Sequence, residues 1–180
     1  MKRILIIVLG IMMLATGVAM ADSKPIQLSL TPGIAIFDRN TTIEGFSLGI
    51  WSENPQKGFA LGFANGSTGN SAGFSWGFLL NYADSYKGVQ WALVNYTQKN
   101  FVGWQSGLVN YTDDAFKGLQ TGFVNYAGQL TGLQLGFFNY AAKASSGVQL
   151  GVINIISQNK WFTNFPNELA PGMIIFNWRF

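Results

Sequence analysis

Residues 118–126 read GLQTGFVNY, and variants of this string recur along the chain. The other copies are GFSLGIWS from Gly45, GFALGFAN from Gly58, GFSWGFLLNY from Gly73, GVQWALVNY from Gly88, GWQSGLVNY from Gly103, GLQLGFFNY from Gly132 and GVQLGVINI from Gly147. Their starts lie 13 to 15 residues apart, and Ala92 replaces the second glycine in one copy. The repeat uses 15 of the 22 glycines, so it organises most of the chain.

Each copy alternates in character, which is typical of a β-strand. In the copy at Gly118, one face carries Leu119, Thr121 and Phe123, and the other carries Gly118, Gln120, Gly122 and Val124. A helix is excluded because each interior glycine costs about 1 kcal/mol relative to alanine. Two further alternating segments, residues 26–37 and 172–180, flank the repeats. The sequence therefore predicts an all-β protein of about ten strands.

The charges are few and lie between the repeats. Only 11% of residues are charged, against about 25% in an average soluble domain. A soluble antiparallel sheet normally carries charges on its exposed face, and strands of about 9–10 residues are long enough to cross a bilayer when tilted. This pattern predicts a closed antiparallel up-and-down transmembrane β-barrel, with Leu, Phe, Trp and Val facing lipid and Gly and Gln facing the lumen.

Polar residues on the second strand face are the candidate lining of a narrow pore for small polar solutes. They are Gln90, Gln105, Gln120, Gln134, Gln149 and Arg179. The chain ends in alternating aromatic residues, Phe176, Trp178 and Phe180, an ending that resembles the C-terminal signal of bacterial outer-membrane barrels. That resemblance implies outer-membrane lipid, the barrel assembly machinery and periplasmic chaperones as partners.

The N-terminal 21 residues have the layout of a secretory signal peptide. Lys2 and Arg3 precede an apolar run, and Ala19-Met20-Ala21 forms a small-x-small cleavage site. We expect residues 22–180 to form a single exported domain located in the cell outer membrane.

The composition restricts the chemistry of the protein. The chain has no Cys and no His, so thiol chemistry and the commonest general base are absent. The acidic pair Asp113 and Asp114 is interpreted as a solvated turn. A net charge of +3 does not indicate nucleic-acid binding. We expect no enzyme activity, no cofactor and no bound metal.

A β-solenoid is the alternative architecture, with each repeat forming one coil. Asn95, Asn110, Asn125, Asn139 and Asn154 would then stack as a ladder, as identical residues do in parallel arrays. Such a protein would be a secreted solenoid or amyloid-type surface repeat protein, serving adhesion or fibre formation. Large side chains such as Trp76, Trp91 and Trp104 would crowd the core of so small a coil, which favours the barrel.

The repeat also resembles a bacterial surface-repeat family built from G-[LV]-Q-x-G-[LFV]-[VIF]-N units. The match covers roughly residues 45–155 and is clearest in GVQWALVNY, GLQTGFVNY, GLQLGFFNY and GVQLGVINI. The segment from Asn159 to Phe180 is similar to the aromatic, proline-containing ending of that family. The resemblance implies an exported, surface-associated protein and no defined activity.

Overall fold

The computed structural model describes residues 23–180, which form stacked β-coils, so the predicted signal peptide lies outside the described residues. The strands are β1 (Ser23–Thr31), β2 (Ile34–Ala35), β3 (Thr42–Asn54), β4 (Gln56–Trp91), β5 (Val94–Thr97), β6 (Phe101–Ile156) and β7 (Gly172–Arg179). β4 and β6 are 36 and 56 residues long because each runs through several coils without a break. The segments between the repeats are thus the third side of a coil rather than hairpin turns.

Successive repeats pair in parallel and in register. Gly45 lies opposite Gly58 where β3 pairs with β4, and Gly88 lies opposite Gly103 where β4 pairs with β6. Asn95 of β5 likewise lies opposite Asn110 of β6. An up-and-down barrel requires antiparallel neighbours, whereas these strands are related by one repeat length. The prediction of a transmembrane, porin-like barrel is therefore wrong, and the solenoid alternative is confirmed.

The two ends of the solenoid differ from its middle. At the N-terminal end, the short β2 pairs antiparallel with Ser29 and Thr31 of β1. At the C-terminal end, β7 pairs antiparallel with the last coil of β6, from Gly147↔Arg179 to Ile155↔Gly172. Both ends therefore carry an element that breaks the parallel array.

The interior is narrow and mixed in polarity. Its apolar part runs along one column that includes Tyr86, Phe101, Phe116 and Leu130, each at most 2% exposed. The rings of Tyr86, Phe101 and Phe116 stack with centroids 6.1 and 5.4 Å apart. Most of the remaining inward positions carry amide or hydroxyl side chains. The tryptophans do not crowd this core, because Trp76, Trp91 and Trp104 point outward and are 48%, 47% and 39% exposed.

The first glycine of the repeat is required where the chain enters each flat strand. Gly103 has φ of 135°, which side-chain-bearing residues rarely adopt, and a Cβ there would overlap the carbonyl oxygen of Gly88 in the coil before. The same arrangement recurs from Gly58 to Gly132. The coils can stack at strand spacing only because these positions have no side chain.

We expect Gly103→Ala to lower the free energy of unfolding by at least about 2 kcal/mol, since it adds both backbone strain and a clash. Chemical denaturation followed by circular dichroism measures the change. Gly33→Ala is the matched control, because nothing lies within 4 Å of a Cβ there. Equal stability of the two variants would contradict the stacking geometry.

Candidate functional site

An asparagine ladder runs through the interior of the solenoid. Each side-chain amide donates to the carbonyl oxygen of the next asparagine along the chain, and each residue is at most 1% exposed. The ladder comprises Asn65, Asn81, Asn95, Asn110, Asn125, Asn139 and Asn154, with donor–acceptor distances of 2.8 to 3.1 Å. Asn110 also donates to the backbone oxygen of Thr121 at 2.9 Å, which ties the ladder to the backbone of the neighbouring strand segment. The ladder predicted for a solenoid is present and extends two residues further towards the N-terminus.

A second ladder is formed by the glutamines that the sequence placed on the polar strand face. Gln90, Gln105, Gln120, Gln134 and Gln149 are all fully buried and are joined by amide hydrogen bonds of 2.7 to 3.0 Å. The two end atoms, Nε2 of Gln90 and Oε1 of Gln149, have no partner. These glutamines therefore form part of the packed interior of the coils.

Arg179, the other residue assigned to the polar face, lies at the C-terminal end of the solenoid. Its guanidinium forms an ion pair with the buried carboxylate of Glu168 and also approaches Asn159 Oδ1 at 3.5 Å. The neighbouring Asn177 is fully buried and donates to the backbone oxygen of Ala170 at 2.9 Å. These contacts attach residues 157–171 to the last coil, so Arg179 serves as part of a cap.

The predicted assembly signal comprises Phe176 and Trp178 on β7 and Phe180 directly after it. Phe176 and Trp178 stack on one another at 5.6 Å, and the indole of Trp178 donates to the backbone oxygen of Pro166 at 2.9 Å. Phe180 is 63% exposed. In the loop before β7, Trp161 and Phe165 are 67% and 63% exposed, so they do not pack as a hydrophobic cap over the end of the molecule.

Tyrosines that end successive repeats form a ladder on the outside. The rings of Tyr96, Tyr111, Tyr126 and Tyr140 stack with centroids 5.7, 4.2 and 5.1 Å apart. Alongside them lie Val94, Val109, Val124, Phe138 and Ile153, and we call these nine residues together the Tyr face. The spacing of the tyrosines at one repeat length was the signal for a stacked row.

A second apolar surface lies on the flat strands that begin at the repeat glycines. It has one row formed by Ile26, Phe46, Phe59, Phe74, Val89, Trp104, Leu119, Leu133, Val148 and Trp178. The other row comprises Leu28, Leu48, Leu61, Trp76, Trp91, Ser106, Thr121, Leu135, Leu150 and Phe176, and we call both rows together the Trp face. Phe46, Phe59 and Phe74 stack at 5.4 Å, and Trp76 and Trp91 stack at 5.9 Å. Neither row contains a charged residue.

The charged residues lie mainly on the third side of the coils. At the position four residues before the repeat glycine, the sign alternates from Asp84 to Lys99 to Asp114 in successive coils. Lys57 pairs with Glu44 across neighbouring coils at 2.9 Å. Because stacked coils place equivalent residues about 4.8 Å apart, this alternation avoids repulsion between like charges.

A polar network at the edge of the Tyr face involves Tyr82. Its hydroxyl accepts a hydrogen bond from the Trp51 indole at 2.8 Å and donates to the Glu53 carboxylate. Burial, with the bond to Glu53, raises the pKa of Tyr82 to about 12. Burial and the neighbouring Tyr126 raise the pKa of Tyr111 to about 12 as well.

Asp113 and Asp114 are exposed, as the sequence indicated, but they lie within β6 on the third side of a coil rather than in a turn. Within residues 23–180, no group of three or more acidic, cysteine or histidine side chains could hold a metal ion. In the same residues, no helix has the length and apolar character that a bilayer-spanning helix needs.

Comparisons with known proteins found no matching family model, no matching curated protein and no matching solved structure.

We expect Asn110→Ala to lower the free energy of unfolding by about 3 kcal/mol, because it leaves the buried Asn95 amide and Asn125 oxygen each short of a partner. Urea denaturation of both proteins provides the measurement. The exposed Asn100→Ala is the control and should change stability by less than about 0.5 kcal/mol. A ladder that tolerates Asn110→Ala as well as the control would not stabilise the coils.

We expect stability to fall between pH 10 and about 12. Tyr82 and Tyr111 have a higher pKa in the folded protein than the value of about 10 in an unfolded chain. Their contribution is therefore complete below pH 10 and is lost as the pH rises through the folded pKa. Thermal melts across this range, with tyrosinate absorbance as a second signal, test the effect. In Tyr82→Phe the loss should be smaller, and an unchanged slope would contradict the assignment to Tyr82.

Proposed function

We propose that the protein is a non-enzymatic, exported surface-repeat protein that acts as a rigid adhesion scaffold. The observation that carries this proposal is the Tyr face, a straight row of stacked, partly exposed aromatic rings. Tyrosine contributes large contact area at low conformational cost, and its hydroxyl tolerates water at the edge of a contact. A rigid row of such rings suits repeated contact with an extended surface.

The rigidity comes from the interior. The two amide ladders connect every coil from Asn65 to Asn154 through side-chain hydrogen bonds, in addition to the backbone pairing. The stacked tyrosines of the Tyr face are therefore held at fixed positions along the solenoid. A preordered surface loses little entropy on binding, which favours adhesion.

Adhesion is favoured over fibre formation by the ends of the solenoid. A fibre that grows by adding parallel coils would have to pair with β7, which is antiparallel to its neighbour. At the other end, β2 already occupies part of the edge of β1. Both elements oppose continuous parallel stacking between molecules.

We expect cells that produce the full-length chain to display it and to adhere to an uncharged plastic surface. Antibody labelling of intact cells measures display. The double variant Tyr111→Ser/Tyr126→Ser should reduce the number of adherent cells about tenfold at equal display, because it removes the central aromatic contacts.

The matched control is Lys99→Ser/Lys143→Ser, which changes two exposed residues on the third side of the coils. Adhesion of the control should equal that of the parent and should persist at high salt, since the contact involves no ion pair. Equal adhesion by the tyrosine variant, or loss of adhesion in salt, would overturn the proposal.

A further inference from the structure

The Trp face is a large uncharged surface that the adhesion proposal does not use. Leu48, Trp76, Trp91 and Leu150 on this face are 41% to 48% exposed. Each row has ten residues, one in each rung from β1 to β7, and neighbouring rungs lie about 4.8 Å apart, so the face is about 43 Å long. Five residues of strand make it about 17 Å wide.

The area of the Trp face is therefore on the order of 700 Å². The largest apolar patch of a typical monomer is about 300–600 Å², whereas a standard stable interface buries about 800 Å² on each partner. The face is thus larger than an ordinary exposed patch and close to the size of one side of a dimer. Because it is uncharged, covering it with the same face of another molecule would desolvate no charged group.

We propose that the Trp face of one copy packs against the Trp face of a second copy as a two-fold dimer. Sheets that pack face to face lie about 10 Å apart and interdigitate their side chains. The occupant is a second copy because the area, the absence of charge and the shape of the face all fit it.

The distribution of side chains selects the direction of packing. Five of the ten residues in the N-terminal half of the face are aromatic, against three of the ten, Trp104, Phe176 and Trp178, in the C-terminal half. A two-fold axis along the strands, between the coils of Trp91 and Ser106, makes the two solenoids antiparallel. Phe74 of one copy then lies opposite Leu119 of the other, and Trp76 lies opposite Thr121.

The opposite, parallel arrangement fits less well. It would place Trp76 against Phe74 and Thr121 against Leu119, so the sheets would be held apart at the coil of Trp76 and leave a gap at the coil of Thr121. Antiparallel packing pairs large side chains with smaller ones, so the distance between the two sheets stays even along the interface, as close packing requires. The Tyr face remains exposed in this dimer, so adhesion and dimerisation depend on different surfaces.

The oligomeric state tests the proposal. Sedimentation velocity on the protein produced from its full-length sequence should give a dimer. Trp91→Glu should raise the dimer dissociation constant at least about tenfold, because it places an unpaired charge in the interface. Val94→Glu, three residues away on the Tyr face and similarly exposed, should leave the dimer intact.

Circular dichroism verifies that both variants are folded. A monomeric parent protein, or dissociation by Val94→Glu and not by Trp91→Glu, would overturn the proposal. So would binding to phospholipid vesicles that replaces self-association, since a lipid surface would then be the occupant. If the tyrosine variant loses adhesion while its dimer is unchanged, adhesion and dimerisation depend on different surfaces.

Cross-linking distinguishes the two orientations. The chain has no cysteine, so introduced thiols are the only reactive ones. In the antiparallel dimer, the double variant Trp76→Cys/Thr121→Cys should cross-link between copies with a short bismaleimide. Thr121→Cys alone should not cross-link, because its two thiols lie three strand spacings, about 14 Å, apart along the solenoid. Efficient cross-linking of Thr121→Cys alone would overturn the antiparallel arrangement.

Discussion

From Asn65 onward, the coils are joined by buried amide side chains that pair with the same side chain in the next coil. A buried amide without a partner costs about 1–3 kcal/mol, and the narrow interior holds two columns of them. Gln105 meets its requirement by donating to Gln90 and accepting from Gln120. Only a parallel, in-register stack supplies that geometry at each step, so the interior selects both the direction and the register of pairing.

The exterior reverses the usual arrangement of a soluble protein. Its strands present apolar rows outward, and polar side chains fill much of the inside. The coil is narrow, so its interior has room for only one column of side chains at each inward position. The bulky tryptophans fit only on the outside. Charged residues lie on the third side of the coils, where alternation in sign from Asp84 to Lys99 to Asp114 keeps like charges out of adjacent coils. The consequence is a molecule with two long uncharged surfaces.

The strands and their two faces could be predicted from the sequence, because period-two alternation reports which side chains share a face. Gln120 and Leu119 do point to opposite sides, as their alternation indicated. The way the sheet closes could not be predicted from that pattern, since alternation is the same in a barrel strand and in a solenoid coil. The sequence signals that decide for a solenoid are the Asn and Gln that recur at one repeat length and the recurring first glycine. In the structure this glycine has φ near 135°. The objection from tryptophan size failed because it placed these residues inside the coil.

The two ladders point in opposite directions. Along the asparagine column each Nδ2 donates to the following coil, as Asn95 does to Asn110, whereas along the glutamine column each Nε2 donates to the preceding coil, as Gln105 does to Gln90. Two parallel columns of aligned amide dipoles would add, but opposed columns cancel over the length of the solenoid. The array can therefore be long without collecting charge at its ends.

The ends of the glutamine column leave two buried polar atoms without a partner, Nε2 of Gln90 and Oε1 of Gln149. The asparagine column instead ends at Asn154, whose amide reaches the backbone oxygen of Gly151 at 2.9 Å. The terminal coils are thus closed by backbone acceptors and by the cap around Arg179, which stops the stack without leaving a charged end.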